Sequence, residues 1–315
     1  MHKILTLIFV LLLNLTVYAQ ISVQNTTDAK AFLHQYLTPL GESLGASLNN
    51  GWYNTARPHR FGGFDATITL NILTIPAGKK SFNPNSIENF SSTDLSTPTI
   101  LGKGNGATIE YEGEQFTMPN QNNGVSFLPI PTLNFGVGLF KKTELNGRYI
   151  PNYKYNGGFI GKGEISMWGL GFKHDILQWI PIIGNTIPFS LSLQAGYTQL
   201  NTEINILDQA VNIDVQAMNI NLILSRNILM LTGFASVGYN SAVTTFSAGE
   251  NLSNLDFFNI GDLNFDLPIS MTFESQNEIR ANIGLRFTLA VIALQANYTF
   301  SEYPVATIGV GVSLR

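Results

Sequence analysis

Residues 50–72 read NGWYNTARPHRFGGFDATITLNI and join two unlike kinds of sequence. Residues 50–60 are irregular, aromatic and basic. After them Phe64, Ala66, Ile68, Leu70 and Ile72 alternate with Gly63, Asp65, Thr67, Thr69 and Asn71. A period of two puts one set on each face of a strand, so one face meets oil or a core and the other meets water or a polar interior. The same alternation recurs to the end of the chain, which makes residues 61–75 the first strand of a long all-β structure.

Composition says which kind. Charged residues are 12% of the chain, against about 25% in a soluble domain. Residues 4–13 form an apolar run behind Lys3, and Val17-Tyr18-Ala19 places small residues where a signal peptidase cuts. Such a run is too short to span a bilayer, so residues 1–19 read as an export signal. After it no apolar run approaches a membrane helix. The tally of 17 Lys+Arg against 21 Asp+Glu gives −4, and losing Lys3 takes this to −5. That balance argues against nucleic acid as a partner. The absence of cysteine excludes disulfides, thiolate metal sites and a lipid-modified cysteine. Low charge with many Gly, Asn, Thr and aromatic residues fits a membrane β-barrel, which hides its hydrophobicity in alternate residues.

Asp28 is a fair N-cap, and residues 29–37 predict a short helix ended by Pro39 and Gly41. Residues 42–49 predict a second small helix. The barrel strands follow at 61–75, 126–140, 143–151, 163–174, 189–200, 209–225, 228–242, 278–289, 292–300 and 304–315. In 209–225 the phase slips: Val211, Ile213 and Val215 are apolar at odd positions, Met218, Ile220, Leu222 and Leu224 at even ones. A bulge near Ala217-Met218 would reconcile the halves. Residues 77–124 and 243–276 are long polar loops, with a local hairpin at 107–118 turning near Glu112-Gly113. Lys141-Lys142, Arg226-Asn227 and Ala290-Val291 read as tight turns.

The expectation is an all-β fold: a transmembrane antiparallel barrel of about ten strands, an even number with both termini in the periplasm. Twelve or fourteen strands stay open if loop hairpins join the wall. Long loops then fall outside the cell and short turns inside. A soluble β-sandwich would carry more Lys and Glu on its wet faces; here those faces are mostly Thr, Ser, Asn, Gln and Gly.

The motifs Asn50-Gly51-Trp52-Tyr53-Asn54-Thr55-Ala56, Pro58-His59 and Gly62-Gly63-Phe64-Asp65 carry a family resemblance, as do Gly169-Leu170-Gly171-Phe172 and Gln178-Trp179-Ile180-Pro181. On these the chain resembles an uncharacterised family of outer-membrane barrels from Bacteroidota. More distantly its layout is similar to long-chain fatty-acid transporters of the outer membrane. That resemblance implies an N-terminal segment plugging the lumen and hydrophobic substrates leaving sideways through the wall. One departure is the C-terminus, Ser313-Leu314-Arg315, where many barrels end on an aromatic residue read by the barrel assembly machinery.

Alternation places Asp65, Glu144, Arg148, Asp214, Glu278, Arg280 and Arg286 on polar faces, as lumen or ligand candidates. Residues 20–60 form the plug, with Trp52, Tyr53, Arg57, His59 and Arg60 as its latch; the basic residues are expected to meet the lumen acids. His34, His59 and His174 lack metal-ligand spacing, Gly102-Lys103-Gly104 lacks the strand and helix of a phosphate loop, and no catalytic nucleophile constellation is present. Neither enzyme activity, cofactor nor metal is expected. Ten strands with an inserted segment leave little bore, so a diffusion porin is not expected. Two readings remain: a plugged transporter for a small hydrophobic molecule, or a surface barrel whose outer loops bind a partner or envelope component. In both, outer-membrane lipid surrounds the wall.

Overall fold

The computed structural model describes residues 26–118, 120–157, 161–180, 188–206, 209–248 and 269–314. Residues 1–25, which include the expected export signal, and most of the second long loop lie outside the described residues. One helix, α1 (Thr26–Leu48), precedes β1 (Phe64–Thr74). Five short strands follow in the first long loop: β2 (Ser81–Phe82), β3 (Phe90–Ser91), β4 (Thr97–Pro98), β5 (Thr108–Tyr111) and β6 (Glu114–Thr117). Then come β7 (Phe127–Leu139), β8 (Thr143–Gly157), β9 (Gly161–Asp175), β10 (Ser190–Ile206) and β11 (Gln209–Ile228). The last four are β12 (Leu231–Ala248), β13 (Ile269–Leu289), β14 (Ile292–Phe300) and β15 (Val305–Leu314).

β1 and β7–β15 close an antiparallel barrel of ten strands, sealed where Phe64 pairs with Leu314. The expected loop hairpin forms as β5–β6, but it pairs with β3 in a separate small sheet and adds nothing to the wall. The Lys141-Lys142 and Ala290-Val291 turns fall where expected. The third does not: β11 runs on to Ile228, and the tip is Leu229-Met230 rather than Arg226-Asn227. A period-two strand does not stop at polar residues while its pairing continues. The outer surface carries a band of exposed large apolar residues, among them Ile68, Phe135, Leu170, Leu222, Leu285 and Val310. A band of that kind is the lipid-facing surface of a membrane barrel. Among the described residues no helix is long and apolar enough to cross a membrane.

The phase slip in β11 is not a bulge. Its register against β10 and β12 runs unbroken through Ala217 and Met218. Odd residues face inward along the whole strand, so Ile213, Val215 and Ala217 are inside and Met218, Ile220, Leu222 and Leu224 outside. What changes is the environment. Near the long loops the strand stands clear of the apolar band, its outside is polar and its inside packs on protein. Lower down the outside meets lipid and the inside is polar, with Asn219, Asn221 and Ser225. β1 changes in the same way, from Thr67, Thr69 and Asn71 to Leu73 and Ile75.

The protein filling the apolar half is α1. Two short helices were expected; one of 23 residues forms, with Pro39 inside it. Proline removes a single backbone donor, and the carbonyl this orphans belongs to exposed Gln35. Gly41 and Gly45 do not end the helix. They let it approach the wall: a Cβ on Gly41 would lie 2.6 Å from Phe273, and one on Gly45 2.5 Å from Ala242. Gly45→Leu is therefore expected to destabilise the folded barrel by about 1–3 kcal/mol, the usual cost of overpacking. Gly78→Ala, where a Cβ meets nothing within 4 Å, is the control and should leave the unfolding temperature unchanged in a heat-modifiability gel.

Candidate functional site

The lumen segment from Thr26 to Arg60 descends the barrel, and its contacts record the depth. At the long-loop end Asp28 accepts hydrogen bonds from Asn89 (3.1 Å) and Tyr111 (2.8 Å). Phe32 packs its ring on Phe82, Phe90 and Phe116 of the same loop. Lower down, Thr244 donates to the Gly41 carbonyl at 2.7 Å, and Asn49 donates to the Ser241 carbonyl at 3.1 Å. Tyr53 then meets Ser236 at 2.5 Å. Those partners step down β12 toward the short turns. At the bottom the Ala56 amide donates to Ser225, and Gly62 and Gly63 bond to Gly138.

Where α1 ends, two buried arginines meet it from different parts of the wall. Arg148 donates to the carbonyls of Leu48 (2.6 Å) and Asn50, and to Asn134 Oδ1 (2.7 Å). Arg280 donates to the Asn49 carbonyl (2.9 Å) and to Asn221. A helix C-terminus carries about half a negative charge on unpaired carbonyls, so guanidinium groups are its natural partners. Arg148 also lies 4.0 Å from the centre of the Trp52 ring. The indole sits in a slot of glycines: a Cβ on Gly169, Gly171 or Gly196 would come within 3.3, 2.9 or 2.6 Å of it. This accounts for the weak alternation at 168–172. The Gly-Leu-Gly-Phe motif of β9 and the Trp-Tyr motif of the segment form the two halves of one contact.

Below Trp52 lies the latch. His59 donates its backbone amide to Glu144 at 2.9 Å, and its Nδ1 lies 2.7 Å from the same oxygen. The other Glu144 oxygen accepts from Lys173 at 2.8 Å. His59 Nε2 lies 3.2 Å from Ser313 and 3.7 Å from Asp65. Arg286 donates to Asn54 at 2.7 Å. His59, Asp65 and Glu144 bring ligand atoms within 4.8 Å of one another, a spacing that could hold a metal ion. Lys173 already supplies a positive charge to Glu144 there, so the cluster is satisfied as an ion-pair network. Beside it a cavity of about 20 Å³, lined by Trp52, Asn54, Asn146 and Gln295 among others, has room for about one water.

The expected residues thus divide. Trp52, Tyr53, His59, Asp65, Glu144, Arg148, Arg280 and Arg286 come together inside the lower lumen. Arg57 and Arg60 are both exposed where the chain leaves the lumen, and among the described residues Arg60 forms no ion pair with a lumen acid. Asp214 faces outward with Asn201, beside a polar cavity of about 190 Å³ bordered by Glu164 and Glu203. The apolar odd positions of β11 suggest an inward Asp214, but in that half of the strand they are themselves the inward set. The Glu278 side chain lies outside the described residues. Sequence reasoning missed Lys173, whose place in a glycine-rich strand hid its inward face.

The polar cap over the long-loop mouth has its own ion pair. Lys79 reaches Glu42 of α1 and Glu302 of the β14–β15 loop, both at 2.8 Å. Burial alone would lower the Lys79 pKa, but the two carboxylates outweigh it and hold it above the usual lysine value.

A family model described as a family of unknown function (DUF6588) matches residues 1–314. The chain belongs to that family. No curated protein matches it. Among solved structures it is similar to the translocator domain of autotransporter NalP from Neisseria meningitidis, at 11% identity and a TM-score of 0.31, over 92% of this chain and 97% of that one. It is also similar to Ail, the attachment invasion locus protein of Yersinia pestis, at 8% identity and 0.29, over 81% and 99%. A third is the Ralstonia pickettii toluene transporter TbuX, at 8% and 0.24, over 81% and 90%. Scores this low add nothing to the strand pairing described above.

Glu144→Ala leaves Lys173 buried without its partner and should cost about 3–5 kcal/mol in reversible unfolding, whereas Arg60→Glu, at an exposed position, should cost little. The stabilisation from Lys79 is full below the unfolded lysine value of about 10.4 and lost as pH rises through the higher folded value. Proteolysis of the 77–124 cap should accelerate above that pH, and Lys79→Met should remove the alkaline step.

Proposed function

We propose that this protein is a sealed outer-membrane barrel that works through its long-loop face, binding a partner or envelope component there, and does not transport through its lumen. On this reading residues 1–19 are removed on export, outer-membrane lipid surrounds the apolar band, and the barrel assembly machinery inserts the chain. The long loops are outside the cell and the short turns in the periplasm.

One observation carries the proposal: residues 26–60 occupy the lumen from the long-loop mouth to the short-turn mouth. A transporter of small hydrophobic molecules requires a continuous apolar path from a mouth to the wall. Here the apolar half of the lumen is taken up by Leu37, Leu40 and Leu44, in one core with Leu73, Leu128, Phe246 and Phe273 of the wall. In the polar half each element of the segment bonds to the wall. The cap of β2–β6 then covers the mouth.

In planar lipid bilayers the purified protein is expected to give no conductance steps, and cells expressing it no added uptake of a lipophilic probe. Regular conductance steps, or probe uptake that depends on the protein, would restore the transport reading.

A further inference from the structure

The N-terminal helix has a direction as well as a place. Its first turn bonds to the long loop and its last carbonyls bond to Arg148 and Arg280 deep in the wall. Burial follows the same course. In the first half Thr27, Lys30, Ala31, His34 and Gln35 form an exposed stripe at helical spacing, while Phe32, Leu33, Tyr36 and Leu37 are buried. From Pro39 to Asn50 every residue is buried. The helix therefore stands part-way out of the long-loop mouth with one side on the cap. Leu314, by contrast, lies at the short-turn end, paired with Phe64. Among the described residues Thr26 and Leu314 lie at opposite ends of the barrel; residues 1–25 and Arg315, on which the expectation of two periplasmic termini falls, lie outside them.

Three features fix this direction. Reversing the helix would set its N–H end, with its partial positive charge, against two guanidinium groups. It would also put the apolar stretch of the helix into the polar half of the lumen. Gly41 and Gly45 would no longer face Phe273 and Ala242, the places where only glycine fits.

The geometry points to a threaded barrel: the start of α1 is presented on the outer face of the cell, and the chain passes down its own lumen before forming the first strand. This rests on the orientation proposed above, with long loops outside. The outer face is then a composite of the helix stripe and the cap.

The absence of native cysteines makes the test clean. Lys30→Cys on the helix stripe, Lys103→Cys in the cap and Lys141→Cys at a short turn are all at exposed positions. Each full-length variant, checked for folding by heat-modifiability, is treated on intact cells with a membrane-impermeant maleimide and again after permeabilisation. Labelling of positions 30 and 103 on intact cells, with position 141 reacting only after permeabilisation, is the expected result. Labelling at 103 but not at 30 overturns threading and leaves the orientation standing. Failure of position 103 to label on intact cells overturns the orientation and the inference with it.

Discussion

Two guanidinium groups hold this molecule's organisation in place. Arg148 on β8 and Arg280 on β13 take the carbonyls of Leu48, Asn49 and Asn50, where α1 gives way to an irregular descent. Burying an arginine without a carboxylate costs several kcal/mol unless its donors are satisfied. Here the helix C-terminus offers the missing negative charge, and Asn134 on β7 and Asn221 on β11 accept from the other guanidinium nitrogens. The arrangement works in one direction only. It sets the depth of the helix, and so the alignment of Gly41 and Gly45 with the wall and of Trp52 with its glycine slot.

The grip also lies near the level where the barrel changes character. Toward the long loops the wall is apolar inside and polar outside; toward the short turns it is polar inside and apolar outside. The helix supplies apolar partners above that level, and residues 49–60 supply polar ones below it. A membrane barrel usually needs its interior wet or filled with side chains of the wall. This one fills its interior with a separate segment of its own chain, matched to each half. His59, held between Glu144, Ser313 and Asp65, closes the lower end.

Much of this was legible in sequence. Period-two alternation located all ten wall strands, and loop lengths separated the two ends of the barrel. An N-terminal helical segment ahead of the first strand was legible too, and with it the inward placement of Trp52 and His59. What misled was the assumption of one phase per strand. In β11 the pairing is continuous and the surroundings change, so a real reversal of hydrophobicity resembled a bulge and sent Asp214 to the wrong face. Pro39 and Gly41 resembled a helix stop because local propensity does not register a lumen that encloses the helix on every side. The direction of the helix was not legible at all: it depends on Arg148 and Arg280, which are distant in sequence from the carbonyls they hold.

The central claim is that α1 runs down from the long-loop mouth, and a distance measurement tests it without reference to any membrane orientation. Spin labels placed in pairs on the cysteine-free chain, at positions 30 and 103 and at positions 30 and 141, report the two separations by pulsed electron resonance in detergent. The account predicts a short 30–103 distance and a 30–141 distance spanning the barrel. The reverse order, or a broad distribution for both pairs, would contradict it.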